Sequence, residues 1–291
     1  NNLDDWNTST VTDMSYLFED AISFNGDISS WNTASVTDMN HMFNEASLFN
    51  KPIGNWNVSN VTNMQGLFRR ASKFNQAIGN WDVSKVADMH NTFAEADSFN
   101  QAIGNWDLSN VTAAHSMFYG AGVFNQDIGN WNVISVTNMS NMFALAKNFN
   151  QDISSWNVNE VINMTAMFYV SEAFNQDLTP WCVTKISSLP TNFYTSSPLS
   201  LSNLPIWGNG PSFTVAVSGS LDFCPGDSVQ LTANATGSGN TFLWTNAASG
   251  SSISVKDAGN YSVKVSNSNG CYVKSSIYTT TVFADADTSV T

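Results

Sequence analysis

Apolar and polar positions along this chain recur with one fixed period. Residues 29–50 read SSWNTASVTDMNHMFNEASLFN and residues 54–75 read GNWNVSNVTNMQGLFRRASKFN. Trp31 therefore aligns with Trp56, Val36 with Val61, Met39 with Met64, Phe43 with Phe68, and Phe49-Asn50 with Phe74-Asn75. Tryptophan stands at 6, 31, 56, 81, 106, 131, 156 and 181, and phenylalanine at 18, 43, 68, 93, 118, 143, 168 and 193. A constant spacing of 25 residues without insertions marks a solenoid, in which each unit buries its apolar face by stacking on its neighbours.

Two shorter periods lie inside each unit. Ile53, Trp56, Val58 and Val61 follow an L-x-x-L-x-L spacing, with Trp56-Asn57-Val58 as a short strand. Val61, Met64, Leu67, Phe68 and Ala71 share one face of a helix of about two turns, with Thr62 or Asn63 as its cap. Phe74-Asn75 then turns the chain back. The expected fold of residues 1–193 is an α/β solenoid, leucine-rich-repeat-like, of parallel strands and short helices. Stacked strands lie roughly 4.8 Å apart, so Trp packs on Trp and Phe on Phe. Asn25, Asn50, Asn75, Asn100, Asn125, Asn150 and Asn175 form a column whose amides can bond one another and the turn backbone.

Units such as FNQDIGNWNVISVTNMSNMFALA resemble the repeats of BspA-like leucine-rich-repeat surface proteins of Bacteroidetes and mycoplasmas. The resemblance covers residues 1 to about 193. It implies an extracellular or cell-surface protein associated with adhesion, and it offers no catalytic residues to carry over.

The eighth unit decays. Pro190 falls inside the helical segment and stops it. The stretch YTSSPLSLSNLPIWGNGP follows, so residues 194–210 are read as a cap and linker, with Trp207 closing the stack. From residue 211 the period is gone, and SVQLTANAT, TFLWTN, SISV, YSVKVSN and CYVKSSIYTTTVF alternate as strands do. DAGNYSVKV resembles the D-x-G-x-Y-x-C of immunoglobulin domains, with Tyr261 as corner tyrosine and Trp244 as core tryptophan. Residues 211–291 are thus expected to form an all-β Ig-like sandwich, like modules of secreted Bacteroidetes proteins, with a hairpin turn at Asn269-Gly270. Ala233 and Val263 hold the usual cysteine positions, and Cys224 and Cys271 flank them. These two are expected to pair, which suits an oxidising compartment, and Cys182 is left over. Zinc held by the two thiols is the weaker alternative.

Charge narrows the partners. The net charge of -13 argues against nucleic acid and against an anionic membrane surface. No apolar run is long enough to span a bilayer. The sequence opens inside a repeat, so its natural N-terminus is expected to lie upstream. Residues 1–210 carry 7 Lys/Arg against 18 Asp/Glu, a balance of -11 that favours a soluble monomer.

No nucleophile elbow, phosphate loop, zinc-protease or EF-hand motif is present, so the expectation is a non-enzyme without a cofactor. His90 and His115 share a column and could share a metal, against a solvated polar row. Asp13, Asp38, Asn63, Asp88, Asn138 and Asn163 could hold calcium, against simple turn capping. The rank Thr12, Thr37, Thr62, Thr112 and Thr137 could match ice, but Ala87 and Ile162 interrupt it. The candidate ligand surface is the pair of columns flanking each Trp: Asn55, Asn80, Asn105 and Asn130 before it, and Asn57, Asp82, Asp107 and Asn132 after it. Such a strip of amides and carboxylates would contact an extracellular protein or glycan. The competing reading is a structural stalk or spacer, whose faces should all be monotonous. A recognition solenoid should instead show one face with unit-specific residues.

Overall fold

The computed structural model describes residues 3–208, 213–236, 239–267 and 271–283. These fall into two compact units, Asn1–Trp207 and Gly208–Thr291. In the first, each 25-residue unit forms one coil stacked on the next; the coils are numbered 1 to 8 from Trp6 to Trp181.

Aromatic columns fill the interior. Phe43, Phe68 and Phe93 stack at centroid distances of 5.6 and 5.7 Å, and Trp31 on Trp56 at 6.4 Å. Within a coil the two phenylalanines lie face to face, as Phe68 and Phe74 do at 3.8 Å. Val61, Met64, Leu67, Phe68 and Ala71 are all buried.

The apolar spacing that predicts a helix there is satisfied by a different backbone. No α-helix forms among the described residues. Residues two and six positions after Met64, Gly66 and Arg70, have left-handed φ of 57° and 55°, which no right-handed helix can accommodate, and the same positions after Met14, Met39, Met89, Met139 and Met164 repeat it. Alternate N–H groups point to the next coil: Met64 to Asp88 O at 2.9 Å, Gly66 to His90 O at 2.9 Å, Phe68 to Thr92 O at 2.8 Å and Arg70 to Ala94 O at 2.8 Å. The N–H groups between them close turns within the coil, as Leu67 to Met64 O and Arg69 to Gly66 O. Every polar backbone group of the segment thus finds a partner, half of them in the neighbouring coil.

The expected strand Trp56-Asn57-Val58 is likewise absent. Parallel pairing is one residue wide and runs elsewhere, through Asp13, Asp38, Asn63, Asp88, Ala113, Asn138 and Asn163. Around the tryptophans, side chains replace the strand ladder. Trp81 Nε1 donates to Ile53 O at 3.2 Å, and Asn57 Oδ1 accepts Ser59 N–H at 3.1 Å. Glycines at 54, 79 and 104 permit close coil contact, since a Cβ there would sit 2.3 to 2.5 Å from a carbonyl oxygen of the next coil.

Asparagines 25 to 175 tie the coils together. Asn50 Oδ1 accepts Asn75 N–H at 3.0 Å, Asn75 Oδ1 accepts Asn100 N–H at 3.0 Å, and the series continues to Ser200 N–H on Asn175 Oδ1. Gln76 Nε2 adds bonds to both oxygens of Asn50. Past coil 8 the chain packs on the stack. Leu199 is buried, Leu178 N–H reaches Asn203 O at 2.8 Å, and Trp207 meets Phe193 edge-on at 5.1 Å.

The second unit contains β1 (Phe213–Ser218), β2 (Asp222–Phe223), β3 (Val229–Ala235), β4 (Thr241–Trp244), β5 (Ser252–Val255), β6 (Gly259–Tyr261), β7 (Val263–Ser266), β8 (Tyr272–Lys274) and β9 (Tyr278–Val282). They form three three-stranded sheets, in the orders β1-β3-β5, β2-β9-β6 and β4-β7-β8. Trp244 is buried with its Nε1 on Gly250 O at 2.9 Å, and the Tyr261 hydroxyl donates to Asp257 O at 3.4 Å. The Asn269-Gly270 turn lies outside the described residues.

The expected Cys224–Cys271 bridge is not formed. Cys224 is an exposed free thiol, whereas Cys271 and Cys182 are each disulfide-bonded. Cys224 follows β2, in the sheet of β9, while Cys271 precedes β8, which pairs with β7 in another sheet.

Candidate functional site

The eight candidate residues flanking the tryptophans are all exposed, but they differ in what their side chains do. Those after Trp cap the local turn. Asn57, Asp82, Asp107 and Asn132 accept the N–H two residues on through Oδ1, at 3.1, 3.1, 2.9 and 3.3 Å. The serine bonds hold the Asp82 carboxyl below the usual carboxylate range. Those before Trp, Asn55, Asn80, Asn105 and Asn130, make no side-chain hydrogen bond among the described residues. The column is nearly uniform from coil to coil.

Other columns are similarly engaged. Asp13, Asp38, Asn63, Asp88, Asn138 and Asn163 each accept the N–H two residues on, and Asn63 Nδ2 also donates to Asp38 Oδ2 at 3.3 Å. The oxygens considered for calcium are therefore turn caps. No cluster of three or more His, Cys, Asp or Glu converges among the described residues. In the threonine rank, Thr37, Thr62, Thr112 and Thr137 donate their Oγ1 hydrogens to the preceding coil's carbonyl.

The unit-specific residues gather on the turn face, in the columns of the left-handed positions. There a groove of about 400 Å³ crosses coils 2 to 6, lined by His41, Arg69, Asn91, Ala94, Glu95, Ser116, Tyr119 and Asn141. His41, Asn91, Ser116 and Asn141 are one column, with φ of 54° to 57°. Gly66 completes it in coil 3, where a Cβ would collide with the His41 ring at 2.7 Å. Arg69 and Tyr119 belong to the column three residues further on.

Charge around this groove is internally paired. Arg70 bridges three coils, with Nη1 on Glu45 Oε1 at 2.7 Å and Nε on Glu95 Oε2 at 3.1 Å. These hydrogen bonds, from Glu45 first and Glu95 second, raise its guanidinium pKa further. Arg69 Nη1 donates to Asn44 Oδ1 at 3.2 Å, and Asn44 Nδ2 to Glu19 Oε1 at 2.9 Å. His41 stacks on Tyr16 at 5.4 Å and contacts Asn40 Oδ1 through Nδ1. Burial, then the nearby Arg69 and His90 charges, lower its pKa against the opposing pull of Glu19.

His90 and His115 stack at 4.3 Å beside the groove column, and His90 Nδ1 meets Asp88 Oδ1 at 2.6 Å. Burial and then His90 depress His115, while Asp88 opposes. The parallel rings pack on each other, and Asp88 is the carboxylate that engages the pair. Arg69 and Arg70 stand side by side in the sequence, but nothing there marks the groove, which arises where two columns meet across coils 2 to 6. Its one legible signal is variation: these columns change residue type at nearly every coil.

Comparison with family models gives a match to "Mycoplasma protein of unknown function, DUF285", over residues 1–106 and 87–207. The chain belongs to this family. The DUF285 match spans the whole coil stack and its cap, and it carries no assigned activity. No curated protein and no solved structure matches the chain. In this DUF285 protein no helix among the described residues is long and apolar enough to cross a membrane.

Proposed function

We propose that this is a non-enzymatic, secreted or surface-attached binding protein of the BspA-like kind, whose coil stack meets an extracellular protein or glycan on its turn face. One contrast carries the reading. Most repeated polar columns are engaged by the backbone, while the groove column changes from coil to coil and its Asn91, Ser116 and Asn141 side chains have no partner among the described residues. Side chains that satisfy nothing inside the fold are available to something outside it. The oxidised cysteines fit an extracellular setting. In the second unit, the buried Trp244 and the Tyr261-to-Asp257 bond support an Ig-like module acting as spacer or second contact. The carboxylates at the groove, Glu45 and Glu95, are both clasped by Arg70, which favours binding over acid–base chemistry.

The test is capture of the full chain on immobilised glycans and matrix proteins, with and without calcium. Three proteins are compared: the wild type, a groove variant (Asn91→Ala, Tyr119→Ala, Asn141→Ala) and a variant of the Trp-flanking strip (Asn80→Ala, Asn105→Ala, Asn130→Ala). Binding lost only in the groove variant is the expected result. Loss only in the second variant would move recognition to the strip. Silence from the folded wild type would favour the stalk.

A further inference from the structure

We infer that the groove binds a neutral, linear polysaccharide laid along the coil axis, an inference that rests on the turn face being a recognition surface. Its free hydrogen-bonding groups are arranged as a row. Asn91, Ser116 and Asn141 come from coils 4, 5 and 6, occupy one column, and repeat at the coil spacing of about 4.8 Å. A ligand running across the coils would meet one of them; a ligand running along the axis meets all three. A polymer with a hydroxyl-bearing unit of similar length presents donors and acceptors in the same rhythm, and amides and a hydroxyl can answer both.

The row is also kept against a cost. These three residues have φ of 57°, 54° and 54°, a conformation that glycine adopts most easily, and coil 3 does use glycine there. Asn tolerates this region, Ser does so less well, and all three retain a polar group that the fold leaves unbonded.

Charge selects neutrality. Glu95 is held by Arg70, and Arg69 donates to Asn44 with Glu45 at 3.7 Å. An anionic polymer would find no unpaired guanidinium in the groove and would lose hydration for nothing, and a cationic one would find Glu45 and Glu95 already held by Arg70. Tyr119 supplies what the rest of the groove lacks. Its ring offers an apolar surface to the C–H face of a sugar, and its hydroxyl makes no bond among the described residues. Tyr169 stands in the same column two coils further on, partly exposed, which extends the strip in the direction of the axis. The small Ala94 side chain in the lining leaves room beside Tyr119.

The test is calorimetric titration of the full chain with neutral β-linked gluco- and manno-oligosaccharides of increasing length, and with a polyuronate oligomer as the charged comparison. Affinity should rise as the chain grows to span the row of coils and then level off. Tyr119→Ala should weaken binding about tenfold, or about 1.4 kcal/mol, with Tyr119→Phe restoring most of it. Asn91→Ala and Asn141→Ala should each weaken it about threefold to tenfold. Circular dichroism of each variant verifies the fold. A length-independent affinity would overturn the axial arrangement, and tighter binding of the polyuronate would overturn neutrality. If no saccharide binds while Tyr119→Ala abolishes capture on a matrix protein, the polysaccharide falls and the recognition surface stands, with a protein as its partner.

Discussion

Asn75 and Asn91 are both partly exposed asparagines of the same coil stack, and they do different things. Asn75 accepts through its Oδ1 both the Asn100 N–H and the Gln101 amide of the next coil, so it works as a strut. Asn91 sits in a left-handed turn with its amide unbonded and faces a groove. The column of Asn75 never changes from Asn25 to Asn175, and that of Asn91 changes in almost every coil. In these two columns, constancy goes with bonds between coils and variation with a side chain released from them, whereas the Asn55 to Asn130 column is constant without such bonds.

Substitutions can break or sharpen this contrast. The largest effect is expected for Asn75→Ala, which strands the Asn100 N–H and leaves the Gln101 amide only the backbone oxygen of residue 75. Thermal or denaturant unfolding should show a loss of about 1–3 kcal/mol. Val170→Gly should act in the opposite direction. Val170 is a β-branched residue held at φ 54°, so relieving it should raise stability by about 1 kcal/mol. Asn57→Ala removes a turn cap beside Trp56 and should cost about 0.5–1.5 kcal/mol without touching binding at the groove. Asn91→Ala should leave stability within about 0.5 kcal/mol, and a loss as large as that of Asn75 would end the distinction between strut and free amide.

The smallest predicted effect is a pH dependence. His41 and His115 have folded pKa values below their unfolded value, so the unfolded chain takes up protons first. Stability is therefore undiminished above the ordinary histidine pKa of about 6.5 and declines as pH falls below it. His115→Gln should flatten that decline in melts taken from neutral to mildly acidic pH.

Much of the stack was legible in the sequence, because period and column depend only on spacing. Ile53, Trp56, Val61, Met64, Phe68 and Phe74 could be assigned to the interior from their recurrence, and they are buried. Backbone conformation was not legible. The spacing Val61, Met64, Leu67, Phe68, Ala71 fits a helical face, yet a chain flanked by identical copies can send half its N–H groups sideways, and a single-unit reading does not weigh that option. Glu45, Arg70 and Leu145 give no local sign of left-handed φ, since their residue types do not favour it. The groove escaped for a related reason: its lining residues are 25 residues apart and become neighbours only after stacking. The cysteine pairing failed because strand alternation says nothing about which sheet each strand joins.

The asparagine ladder makes the stack a ruler whose length can be edited. Each coil presents the same Oδ1 upward and the same N–H downward, and Asn75-Gln76 and Asn100-Gln101 are identical junctions. Excising residues 76–100 would rejoin Asn75 to Gln101, restore every rung and shorten the molecule by one coil, about 4.8 Å. Duplication of the same segment would lengthen it by as much. Reach can thus change by whole-unit gain or loss, while the contents of the turn-face columns change independently, one coil at a time.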